Sequence, residues 1–190
     1  ENKGTITTNG ATLKGDVKAA SDGTVALTNG STSEGITADG GTVTTNGTEV
    51  TGDALAKANG TVTMTNGKAG TLTADGGTVT TSGTEVTGDA LAKANGTVAM
   101  TNGKAASVTA DGGTASTDGT EVDGLISAKN GGKASMKNGS AKGLSADKDS
   151  TVTAELDKAD AKLDGDVSNE GTASISLSNG ASWTGDSTGT

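Results

Sequence analysis

The chain has 190 residues, 32 of them Gly, with a net charge of -9 and no Cys, Pro, His, Phe or Tyr; all 14 basic residues are Lys. The missing His and Cys exclude Ser-His-Asp and Cys-His nucleophilic catalysis. An acidic chain without Arg and with one aromatic residue also lacks what a nucleic-acid binder needs to neutralise phosphate and stack bases.

Leu, Ile and Val total only 26 residues, too few for a thick globular core, so the fold must stand on a thin one. No run of 18 apolar residues exists, so no transmembrane segment is expected, and no basic segment followed by an apolar run marks a signal peptide. The absence of Cys rules out a disulfide-stapled scaffold.

The first copy of a repeat, about 4 to 40, places Ile6 and Leu13 ahead of an alternating strand at Thr24 to Thr28, then Asn29-Gly30, Ile36 and Asp39-Gly40. The second copy, 41 to 76, opens with GTVTTNG and continues through Glu49, Val50 and Asp53. Its run GDALAKAN, from Gly52 to Asn59, is Ala-rich but too short and uncapped for a secure helix. Thr61-Val62-Thr63-Met64-Thr65 then alternates apolar residues with Thr, the period-2 signature of a half-buried strand, with Met64 inside and Thr63 outside. Asn66-Gly67 and Asp75-Gly76 follow as turns that tolerate positive φ.

The third copy, 77 to 112, repeats this almost verbatim: residues 73 to 98 match 37 to 62 except that Ser82 replaces Asn46, an offset of 36. The fourth copy, 113 to 148, keeps Met136, Asn138 and Asp147 in register. A divergent fifth copy fills 149 to 190, where Leu177 and Asn179 align with Met136 and Asn138 after about five inserted residues. No linker interrupts the series, so 1 to 190 is one repetitive domain.

Each copy also divides in two, because GTVTTNG at 41 to 47 is echoed by GTVTMTNG at 60 to 67 and GTVTTSG at 77 to 83. A unit of 17 to 19 residues with strands and tight corners predicts an all-β fold: a parallel β-helix, or β-solenoid, of about ten coils in 36-residue double-coil repeats. The expected apolar columns are Ile6, Val43, Val79 and Ala115; Leu13, Val50, Val86 and Val122; Val25, Val62 and Val98; Leu27, Met64, Met100 and Met136; and Ile36, Leu72, Val108 and Leu144. The competing architecture reads Asn-Gly as a hairpin signal and gives antiparallel blades. Blades need bulky side chains between sheets, which this composition does not supply.

The chemistry-bearing residues point away from an enzyme. Glu49 with Asp53, and Glu85 with Asp89, are the candidate carboxylate pairs, but a pair repeated once per copy suits a solvated corner better than a single site. Asp39, Asp75, Asp111 and Asp147 form an expected column without a calcium-binding pattern, and are read as turn residues, so no metal or other cofactor is expected. The candidate contact surface is an exposed Thr-rich face of Thr61, Thr63, Thr65, Thr97 and Thr101, interrupted by Ala26, Ala99, Lys133, Ser135 and Lys137.

Residues 172 to 186, TASISLSNGASWTGD, resemble the repeats of bacterial autotransporter passenger domains of the pertactin and self-associating adhesin type. That resemblance implies export to an extracellular or bacterial cell-surface location and a structural or adhesive role in adhesion, self-association, fibre or biofilm formation. The implied partners are other copies, or a glycan or protein on a host or bacterial surface. The alternative is an ice-binding β-solenoid that uses its Thr-rich face.

Overall fold

The structure is a computed structural model that describes residues 3–189. It is an all-β, right-through parallel solenoid: three parallel sheets of ten, nine and ten strands run along one axis, and the chain visits them in turn once per coil. One coil consists of Thr42–Asn46 in the first sheet, Glu49–Val50 in the second and Ala54–Lys57 in the third. The next follows with Thr61–Thr65, Lys68–Ala69 and Leu72–Asp75. The second sheet has nine strands because the first coil contributes only a bridge, Thr12 to Thr32.

The strand-to-strand pairings are parallel. Asn-Gly therefore turns the chain from one sheet into the next and closes no hairpin, which rejects the antiparallel blade. Two isolated antiparallel bridges, Lys57 to Gly76 and Lys93 to Gly112, lie at corners. Within GDALAKAN, Ala54–Lys57 is strand, with Ala54 and Ala56 pointing into the core while Leu55 and Lys57 do not.

The core differs from the sequence expectation in one instructive way. The Ile6 and Val25 columns are a single column: Ile6, Val25, Val43, Val62, Val79, Val98 and Ala115 lie directly opposite one another in successive coils. Beside it, Leu27, Met64, Met100 and Met136 are separated by Thr45, Thr81 and Thr117, which also point inward and are buried. In the third sheet Ile36 and Leu72 alternate with Ala54 and Ala90, next to a continuous Ala column that includes Ala38, Ala56, Ala74 and Ala92. In the second sheet Val50 and Val86 alternate with Ala69.

These alternations explain why the chain repeats every two coils. A coil with Met64 and Leu72 is large on two sides and carries the small Ala69 on the third. Its neighbours carry Thr45 or Thr81, Val50 or Val86, and Ala54 or Ala90. A narrow lumen reaches close-packing when large residues stack over small ones.

The corners alternate too. The left-handed position after the first sheet is held by Asn66, Asn102 and Asn138 (φ 49, 50 and 55°) in one set of coils and by Gly47, Gly83 and Gly119 (φ 62, 61 and 61°) in the other. At Gly83 a Cβ would also lie 2.6 Å from the Asn66 Oδ1. The next corner residue in the Gly set is a buried Thr whose hydroxyl donates to a core carbonyl one coil back: Thr48 to Leu27, Thr84 to Met64 and Thr120 to Met100, at 3.0, 3.3 and 3.2 Å.

The fifth copy departs from the expected alignment. Ile175, not Leu177, follows Ala154 above Met136; Leu177 lies opposite Leu156 and is 42% exposed. The insertion bulges mainly between the strands Thr151–Leu156 and Lys162–Asp164, so it displaces the corner while the strands around it stay paired.

Candidate functional site

Strand alternation dictates what each sheet shows to solvent. In the first sheet the residues flanking the buried Val and Met point outward, so every coil presents three positions. Thr61, Thr63 and Thr65 occupy them in one coil and Thr97, Ala99 and Thr101 two coils on; Thr78, Thr80 and Ser82 lie between, each directly opposite its neighbours. Thr42, Thr44 and Asn46 extend the array on one side, and Thr114, Ser116 and Asp118 on the other.

The five threonines singled out from the sequence therefore belong to a continuous surface. One lane reads Thr5, Thr24, Thr42, Thr61, Thr78, Thr97 and Thr114, one Thr per coil, at the roughly 4.8 Å spacing of paired strands. Sequence reading skipped the coil of Thr78 and Thr80 because it compared positions 36 apart; the shared TVT strand pattern was the signal that held them. The array changes at Lys133 and Lys137, which occupy two of the three positions in the eighth coil. Before that coil, Asp118 is the one charged residue on the outward positions of this sheet.

The other faces carry the charge, and they carry it in order. Along the second sheet the outward residues read Glu49, Lys68, Glu85, Lys104 and Glu121. Lys68 reaches Glu85 at 3.2 Å, and Lys104 reaches Glu121 at 3.4 Å and Asp123 at 3.1 Å. Hydrogen bonds to Asp123 and then Glu121 raise the Lys104 ammonium above its ordinary pKa of 10.5. At the far end Lys142 donates to Asp164 at 2.9 Å and lowers that carboxyl.

The third sheet ends in a second ladder. The expected column of Asp39, Asp75, Asp111 and Asp147 is not a column of acids: Lys57 stands in register between Asp39 and Asp75, Lys93 pairs with Asp75, and Lys129 pairs with Asp111. Identical carboxylates one strand apart repel, and the two-coil repeat places an ammonium in each gap. Asp39 meets Lys18 at 2.9 Å and Lys57 at 3.4 Å, and the hydrogen bond from Lys18 is the main reason its carboxyl sits below the ordinary 3.8.

Three of the four candidate carboxylates, Asp53, Glu85 and Asp89, are likewise engaged with the neighbouring coil. Asp53 accepts from Thr71 at 2.6 Å, Asp89 accepts from Ser107 at 2.7 Å, and Glu85 belongs to the Lys68 ion pair. A shallow groove of about 360 Å³ lies on the second sheet, lined by Glu121, Asp123, Ser140, Lys142, Lys162 and Asp164. It contains the Lys142–Asp164 pair. Among the described residues no helix is long and apolar enough to cross a membrane.

No protein-family model, no curated protein and no solved structure matches the chain.

Proposed function

We propose that the chain is a non-catalytic structural or adhesive rod of an extracellular or bacterial cell surface, acting in adhesion, self-association or fibre and biofilm formation. The observation that carries this reading is the segregation of charge: two faces bear ordered ion-pair ladders, while the first sheet shows an almost charge-free array of Thr, Ser, Asn and Ala over seven coils. Such a face can meet another polar surface without stripping water from ions, and its repeated hydroxyls offer many weak, equivalent contacts. The likeness of TASISLSNGASWTGD to autotransporter passenger repeats supports the surface location.

The test is a series lacking one, two and three 36-residue copies, read by cell aggregation or fibre assembly. Association falls gradually with each deletion while circular dichroism keeps its β signature. Loss of association on removal of one particular copy, with folding intact, rejects a distributed face.

A second reading, ice binding, is favoured by the unbroken lane from Thr5 to Thr114. An ice-recrystallisation assay on the intact chain and on Thr78→Lys, which interrupts that lane, separates the two: inhibition abolished by the substitution supports ice binding, and no inhibition by the intact chain rejects it.

A further inference from the structure

We propose that Asn66 and Asn102 are sites of self-modification, where the folded rod converts an asparagine amide to aspartate or isoaspartate while protecting its other Asn-Gly steps. The chain contains ten such steps, at Asn9, Asn29, Asn46, Asn59, Asn66, Asn95, Asn102, Asn130, Asn138 and Asn179. Sequence alone makes them equivalent. The fold does not.

The reaction is intramolecular. The backbone nitrogen of the glycine attacks the Asn Cγ, a C–N bond forms, and the Cγ–Nδ2 bond breaks. Ammonia leaves with the proton surrendered by the glycine amide. Water then opens the resulting succinimide at either carbonyl, giving aspartate or its isoaspartyl isomer. Glycine, with no side chain, leaves its nitrogen open to attack, but that nitrogen must be free and the Asn side chain must be able to turn onto it.

Six of the ten steps fail the first condition. The amides of Gly10, Gly30 and Gly47 donate to Thr28, Gly47 and Thr65 carbonyls at 3.0, 3.0 and 2.8 Å. Gly60 and Gly96 donate to Lys57 and Lys93 carbonyls at 2.8 Å, and Gly131 donates to the Ser150 hydroxyl at 3.1 Å.

The amides of Gly67, Gly103, Gly139 and Gly180 have no hydrogen-bond partner among the described residues. Two of these fail the second condition. Asn138 is buried and clamped: its Nδ2 donates to the Asp157 carboxylate at 2.7 Å and its Oδ1 accepts from the Asp157 amide at 2.9 Å. Asn179 donates to the Asp157 carbonyl at 3.2 Å. Asn66 and Asn102 are exposed and their side-chain amides have no hydrogen-bond partner among the described residues, so of the ten steps these two meet both conditions.

The product is a new carboxylate two residues before Lys68 or Lys104, the cations of the second-sheet ladder. Aspartate fits the left-handed corner, as Asp22 and Asp149 do elsewhere at φ 64 and 65°. An isoaspartyl link adds a methylene to the main chain between two inter-coil bonds, Asn66 amide to Ser82 carbonyl and Lys68 amide to Thr48 carbonyl, and so strains the register on both sides.

The folded full-length chain is incubated in mildly alkaline buffer, digested after lysine, and read by fragment-ion mass spectrometry for the amide-to-acid mass change. The peptides 58–68 and 94–104 each hold a protected and an open step, Asn59 with Asn66 and Asn95 with Asn102. Asn66 and Asn102 convert at least about tenfold faster than Asn59 and Asn95, the rate equivalent of a hydrogen bond that must first open. In denaturant the ten steps converge. Asp157→Ala raises conversion at Asn138 in the peptide 138–142 toward the Asn66 rate. Equal rates at Asn59 and Asn66 in the folded chain overturn the proposal, whatever the variant does.

Discussion

Thr45 lies directly opposite Met64 in the wall of the core, fully buried, with a hydroxyl that has no hydrogen-bond partner among the described residues. Thr81 and Thr117 repeat the arrangement against Met64, Met100 and Met136. These three positions need a small β-branched residue between the long methionines, and the hydroxyl adds only the cost of its lost water. Thr45→Val, Thr81→Val and Thr117→Val each raise stability by about 1 kcal/mol, seen as a higher urea midpoint with unchanged slope. A lower midpoint would mean that the hydroxyls are satisfied within the core.

The charge ladder of the second sheet makes a sign-specific prediction. Lys68→Glu places three acids in a row with Glu49 and Glu85, and destabilises by a few tenths to about 1 kcal/mol at low salt, while Lys68→Gln costs less. Added salt narrows the gap between the two variants. If the gap is salt-independent, the ladder acts through packing of the lysine stem.

Protonation gives the corresponding pH dependence. Asp39 and Asp164 are held below the ordinary carboxylate value, so their contribution is complete above the unfolded pKa and is lost as pH falls through the lower folded one. Lys104 is held above 10.5, so its contribution is complete below that value and disappears as pH rises past its folded pKa. Stability is therefore flat near neutrality and declines at both extremes, gently because all three groups are exposed. Lys18→Met reduces the acid-side decline due to Asp39. Urea midpoints across the pH range measure it.

Ala58 and Ala94 occupy the left-handed region at φ 50°, where Cβ crowds the backbone. The fourth copy solves the same corner with Asn130 at φ 51°. Ala58→Asn and Ala94→Asn therefore stabilise by a few tenths to about 1 kcal/mol each, checked by thermal or urea unfolding. The effect is lost if the new side chains disturb the neighbouring Gly76 and Gly112 carbonyl contacts, which Asn59 and Asn95 make through their amides.

Most of the architecture was legible because its signals are local. Thr61 to Thr65 alternates as a strand must, Asn66-Gly67 turns as expected, and the 36-residue echo announces stacking. What escaped detection lies between the copies. Columns drawn through residues 36 apart join Val43 to Val79 and leave Val62, which separates them, in a column of its own, although the echo of GTVTTNG in GTVTMTNG aligns Val43 with Val62 directly. The same step hid Lys57 between Asp39 and Asp75, and Thr78 and Thr80 between the two halves of the hydroxyl face. Thr45 was unreadable for another reason: a β-branched polar residue in an alternating strand suits either face, and only the bulk of its neighbours Leu27 and Met64 decides.

The alternation of Met64 with Thr81, and of Glu85 with Lys104, also constrains how such a gene can change length. Recombination between near-identical copies that removed a single coil would set methionine on methionine and lysine on lysine, or threonine on threonine and glutamate on glutamate, at the junction. Exchange in pairs of coils leaves every junction as it was. The heritable increment of this rod is then two coils, roughly 9 to 10 Å of length per event.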